Sequence, residues 1–109
     1  SLTSLRLDSN MLKDEGITSI TDALQSNNKL KLSSLDISNN DFGPNGAKSV
    51  AAMLAVMPSL TECNVHNNNL DQESAKMLFE VATKKGIMLF GIKHDQVSAD
   101  FKNNELGPV

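Results

Sequence analysis

An eleven-residue pattern recurs at near-regular intervals along this chain, and it restricts the fold more than any other feature. Residues 2–12 read Leu2-Thr3-Ser4-Leu5-Arg6-Leu7-Asp8-Ser9-Asn10-Met11-Leu12, the form L-x-x-L-x-L-x-x-N-x-L. Leu32, Leu35, Ile37, Asn40 and Phe42 fill the same positions in a second copy, and Leu60, Cys63, Val65, Asn68 and Leu70 fill them in a third. Ile87, Phe90, Ile92, Asp95 and Val97 make a degenerate fourth copy. The copies begin at residues 2, 32, 60 and 87, so the period is 30, 28 and then 27 residues. Self-similarity at such a period predicts a stacked array, because one unit cannot bury its apolar face without a neighbour.

The stretches between the copies are long enough for helices of three to four turns. In the first, Ile17, Ile20, Ala23 and Leu24 fall on one helical face, with Asp14 and Glu15 at the positive end of the helix dipole. In the second, Pro44 suits the first helical position, Ala47, Val50, Ala51 and Leu54 face inward, and Pro58 ends the run. The third opens on Asp71 as N-cap and carries Ala75, Leu78, Phe79 and Ala82 on its inner face. It closes with Lys84 and Lys85 before Gly86, a glycine at the expected C-terminal position. The predicted fold class is therefore α/β: strand–helix units forming a right-handed solenoid, with a parallel sheet on the concave face and helices on the convex face.

The pattern of residues 2–12 followed by Asp14-Glu15-Gly16-Ile17 and Ala23-Leu24 resembles the ribonuclease-inhibitor-like subfamily of leucine-rich repeats. Phe42 with Gly46-Ala47 and Ala51, and Leu70 with Ala75 and Leu78, continue the likeness, which covers residues 1–97. The resemblance implies a curved interaction surface. It leaves the partner open, because that subfamily includes inhibitors, sensors, GTPase activators and actin regulators. Ran GTPase activators in it use an arginine beside an early repeat; the one arginine here, Arg6, lies inside a strand motif. Tropomodulin-like caps of actin filaments end in such an array, with an aromatic–glycine pair in the closing strand that Phe90-Gly91 resembles.

Composition fits a single small domain of 109 residues. The domain divides into leucine-rich repeats over residues 1–97 and a C-terminal capping segment over 98–109, where Ser98 is placed to cap a short helix and Phe101 to fold over the last repeat. Tyr and Trp are absent, so the core is aliphatic, and the net charge of −3 comes without a basic stripe, which argues against nucleic acid and anionic membrane as partners. No apolar run approaches the ~20 residues of a membrane span. The single cysteine excludes an intrachain disulfide and points to a reducing, cytoplasmic setting. The chain opens on the first position of a strand motif, so its first strand is expected to present a bare edge. That predicts either a piece of a longer array or self-association through this N-terminal edge.

Side chains alternate along a strand, so the residues between the apolar motif positions are expected to line the concave face. The first copy supplies Ser4, Arg6 and Asp8, and the second Ser34, Asp36 and Ser38. The third supplies Glu62, Asn64 and His66, and the fourth Leu89, Gly91 and Lys93. Within this set, Arg6, Asp8, Ser34, Asp36, Ser38, Glu62, Asn64, His66 and Lys93 are the candidate partner-binding residues. Asn10, Asn40 and Asn68 are expected to form a structural ladder, each amide turning inward to satisfy backbone groups of its own and the next turn. Cys63 stands where other copies have leucine, and is read as a buried hydrophobe with no nucleophilic role. His66 and His94 lack the acidic or cysteine partners that a metal site needs. Met53, Met57, Met77 and Met88 are read as packing residues. With no catalytic, metal or cofactor constellation present, the expected function is a non-catalytic protein–protein interaction module, not an enzyme. A cytoskeletal regulator with a tropomodulin-like actin-binding domain, and a structural segment of a longer solenoid, are the alternatives.

Overall fold

The computed structural model describes residues 4–27 and 31–92. Along them run β1 (Ser4–Arg6), α1 (Lys13–Ser26), β2 (Ser34–Asp36), α2 (Pro44–Val56), β3 (Glu62–Asn64), α3 (Gln72–Lys85) and β4 (Met88–Phe90). The four strands form one parallel sheet in sequence order. Among the described residues α1 packs on α2 and α2 on α3, while α1 and α3 do not touch. Nearest-neighbour stacking of this kind is what defines a solenoid.

The core lies between sheet and helices. Leu35, Ile37, Phe42, Val50, Met53, Leu54, Cys63, Val65 and Leu78 are fully or almost fully buried in it. The inner face predicted for the second helix is observed, with Gly46 and Met53 joining it. In α1 the buried set is Ile17, Thr21 and Leu24; Ala23 is exposed and Ile20 only partly covered. Thr21 stands outside the apolar periodicity because its side chain is polar. Its hydroxyl nevertheless donates to the Thr18 carbonyl of its own helix at 3.1 Å, which makes burial tolerable. Phe79, predicted to face inward, is half-buried.

Helix ends follow local chemistry in two cases and tertiary structure in a third. The Asp71 carboxylate accepts from the Ser74 N–H at 2.8 Å, and hydrogen bonding to Ser74 lowers its pKa. Gly86 ends α3 in the left-handed region (φ 71°), where its N–H and that of Ile87 reach back to Thr83 and Ala82. Helix α2 has Pro44 in its first turn but only Gly43 at the N-cap, so it supplies no side-chain cap of its own. Asp14 from the preceding repeat fills that place. Its Oδ1 accepts from Gly43 N at 2.8 Å and from Gly46 N at 2.7 Å. Asp14 thus caps the neighbouring helix as well as lying in the first turn of α1. A Cβ on Gly46 would sit 2.7 Å from the same carboxylate oxygen, so the glycine is what admits the cap.

The fourth copy differs from its predicted register. Leu5, Leu35, Cys63 and Leu89 are paired across the sheet, so the last interval is 26 residues and not 27. Leu89, not Phe90, turns toward the core, and Met88 and Phe90 face outward. A one-residue slip exchanges the two faces of a strand. Gly91 then bends the chain at φ 95°, its backbone pressed against His66, and this returns Ile92 to the inward side. Asp95, Val97, His94 and the capping segment over 98–109 lie outside the described residues, as do residues 1–3.

Candidate concave interaction face

Parallel register arranges the outward side chains in rows that cross the strands. Ser4, Ser34, Glu62 and Met88 form one row, and Arg6, Asp36, Asn64 and Phe90 the next. The charge on this face is already partly committed. Arg6 reaches Asp8 Oδ2 at 3.2 Å and Asp36 Oδ2 at 3.9 Å. The Ser34 hydroxyl donates to Glu62 Oε1 at 3.0 Å. Asp36 Oδ1 accepts from both the N–H and the hydroxyl of Ser38, at 3.0 and 2.6 Å, and Asn64 Oδ1 accepts from His66 N at 2.9 Å. These short loops of hydrogen bonds hold Asp36 and Asn64 in fixed orientations, so the face is pre-formed.

Four expected members of the face need correction or lie beyond view. Ser38 is buried, drawn under Asp36 by its two hydrogen bonds, and offers a partner nothing. Leu89 points inward, and Gly91 packs against the His66 backbone, because the register slip exchanged the faces of the last strand. Lys93 is outside the described residues. In place of the fourth-copy residues the structure presents Met88, 60% exposed, and Phe90, 44% exposed. Met88 was expected to be a packing methionine. Sequence reasoning had one usable signal, the Gly86 helix stop, which places the strand directly after Ile87; the adjacent apolar pair Leu89-Phe90 gave no way to choose between registers.

Beneath the end of each strand the asparagines stitch the repeats together. Asn40, fully buried, accepts at Oδ1 from the N–H groups of Asn10 (2.9 Å) and Leu12 (3.3 Å). Its Nδ2 donates to the carbonyls of Leu7, Ile37 and Ser38 at 2.9–3.1 Å. Asn68 repeats the arrangement one unit later, accepting from Asn40 N and Phe42 N and donating to Ile37, Val65 and His66. The bonds therefore run to each asparagine's own turn, as expected, and to the preceding turn in place of the following one. Among the described residues the Asn10 side chain makes only the local bonds to Leu7 O and Asp8 O. The residues before the ladder, Ser9, Asn39 and Asn67, have φ of 57–60°. In Asn39-Asn40 and Asn67-Asn68 the first asparagine accommodates that left-handed backbone and the second forms the ladder.

The fold is that of a leucine-rich repeat solenoid. The sequence pattern of the leucine-rich repeat family matches residues 1–20 and 26–51. Sixteen chains of known structure match the fold, among them the tropomodulin C-terminal domain of Caenorhabditis elegans, with a TM-score of 0.74 at 19% identity. That match covers 94% of this chain and 66% of the other, so the solenoid spans just under two thirds of that chain's length. No curated protein sequence matches.

Cys63 is fully buried, and burial, with the Asp36 charge added, pushes its thiol up to about 12, which removes it as a nucleophile. Among the described residues no group of three histidine, cysteine or acidic side chains converges to hold a metal ion. No helix among them is long and apolar enough to cross a membrane.

Proposed function

We propose that this solenoid is a non-catalytic protein-interaction module and that its concave sheet face is the binding surface. The observation that carries the reading is the outward pair Met88 and Phe90, beside the pre-ordered polar rows of Arg6, Asp36, Glu62 and Asn64. A rigid face that combines exposed apolar anchors with oriented polar groups has the make-up of a protein-binding hot spot and its rim. The repeat length and the full helix in each unit support assignment to the ribonuclease-inhibitor-like kind of repeat. The single, free cysteine supports a reducing intracellular setting.

The test is differential capture from cells that contain the protein. Partners retained by the native chain should be lost with Phe90→Asp and retained with Val56→Lys, which alters an exposed apolar residue at the end of α2. Loss with Val56→Lys and retention with Phe90→Asp would move the binding surface to the convex side and reject the reading.

A second reading is a cytoskeletal regulator. The shared fold with a tropomodulin C-terminal domain favours it, as does the Phe90-Gly91 pair, whose phenylalanine is exposed on the closing strand. Adding the chain to actin filaments capped at their barbed ends should then slow pointed-end growth. Unaltered growth at saturating chain would reject it.

A further inference from the structure

We propose that the concave face takes a basic amphipathic helix lying across the strands, with an apolar anchor on Met88 and Phe90 and Lys or Arg side chains over Glu62 and Asp36. This deepens the proposed function and rests on its choice of face. Strands β1–β4 contain one cation, Arg6, against the two carboxylates of Asp36 and Glu62, and Asp8 just beyond β1 adds a third. Arg6 is shared between Asp8 and Asp36, so it balances about one of the three. Glu62 is exposed, and among the described residues its hydrogen bond is to the neutral Ser34 hydroxyl. The face is left acidic at its centre and apolar at one end, and the complementary ligand is apolar at one end and basic beyond it.

The spacing selects a helix. Neighbouring strands lie about 4.8 Å apart, which places Glu62 one strand (roughly 5 Å) and Asp36 two strands (roughly 10 Å) from the Met88–Phe90 strand. On a helix, residues three or four apart are separated by about 5–6 Å and residues seven apart by about 10.5 Å along the axis. Glu62 is level with Met88 and Asp36 with Phe90, so one apolar residue seated between Met88 and Phe90, with basic residues at three to four and at seven positions from it, reaches Glu62 on one side of the helix axis and Asp36 on the other. An extended segment, at about 3.3 Å per residue with alternating faces, matches the first interval poorly.

Panning a library of displayed 16-residue peptides on the intact chain tests this. Enriched sequences should carry an aromatic or aliphatic anchor with Lys or Arg at those offsets. Their affinity should fall about tenfold or more with Phe90→Asp, and severalfold with Glu62→Lys or Asp36→Asn. Asp36→Asn keeps an oxygen to accept from Ser38, and circular dichroism melts of every variant separate lost binding from lost folding. Raising salt from about 0.05 to 0.5 M should weaken binding severalfold, because the carboxylates are at the surface. Enrichment of acidic or uncharged peptides that still fail on Phe90→Asp would overturn the helix chemistry and leave the concave-face reading standing. Peptides insensitive to Phe90→Asp but lost with Val56→Lys would overturn both. No enrichment, or a dimer by light scattering that Phe90→Asp dissociates, would overturn the proposal, the dimer assigning the face to a second copy of the chain.

Discussion

Replacing Asn40 with alanine should cost far more than making the same change at Asn10, although both fill the same motif position. The Asn40 side chain makes five hydrogen bonds, but they are not equivalent. Each carbonyl that it serves has another donor: Leu7 O receives Asn10 Nδ2, Ile37 O receives Asn68 Nδ2, and Ser38 O receives Ser9 N. The N–H groups of Asn10 and Leu12 would lose the acceptor that the Asn40 amide gives them. A buried donor left unsatisfied costs about 1–3 kcal/mol. Leu12 is half-buried and Asn10 exposed, so water recovers part of this, and Asn40→Ala should lose about 2–4 kcal/mol in total. Asn10→Ala orphans no N–H group and should lose under about 1 kcal/mol. Urea unfolding at matched concentrations reads the difference as a shift in midpoint, and hydrogen exchange should show faster opening at Leu12 N–H in the Asn40 variant. Equal losses for the two variants would refute the claim that the ladder acts by accepting from the preceding turn.

Three further outcomes follow from specific contacts. Asp14→Ala removes the acceptor for two N–H groups of the next repeat's helix and should destabilise by about 1 kcal/mol, while Asp14→Asn, which keeps an oxygen there, should lose less; equal losses in urea melts would deny the cap. Gly91→Ala forces a Cβ to 2.3 Å from the His66 backbone at φ 95° and should cost about 2–3 kcal/mol or more, with faster exchange of the Val65 N–H that donates to Phe90 O; an unchanged melt would show that the kink is dispensable. The Cys63 thiol, buried and raised to about 12, should react with a thiol reagent at pH 8 at least ~10³-fold more slowly than in urea-unfolded chain, and Asn40→Ala should accelerate it; fast labelling of the native protein would contradict the burial.

The local rules were readable wherever a residue's task was set by its own segment. Asp71 and Gly86 bound α3 from both sides through contacts within a few residues, and the sequence announces both. Ala47, Val50, Ala51 and Leu54 announce the inner face of α2 by spacing alone. Thr21 and Ala23 show where spacing fails: the neighbouring helix decides which part of α1 is covered, and a threonine can bury if its hydroxyl bonds its own backbone. Asp14 shows the same limit for capping, since its second task belongs to a helix about thirty residues further on.

The sequence by itself determined the repeat, the strand–helix alternation, the asparagine positions and most of the concave rows. An eleven-residue motif encodes these directly through side-chain alternation and turn chemistry. Only the tertiary structure decided which way the ladder's bonds run, that Ser38 is hidden beneath Asp36, and that Met88 and Phe90 rather than Leu89 complete the face. The last of the three shows the physical reason. In the last copy Leu89 and Phe90 are both apolar, so either could fill the buried position, and intrinsic preference does not separate them. The choice is made by backbone pairing with β3 and by the one glycine able to kink against His66, and those partners lie some 25 residues away in the chain.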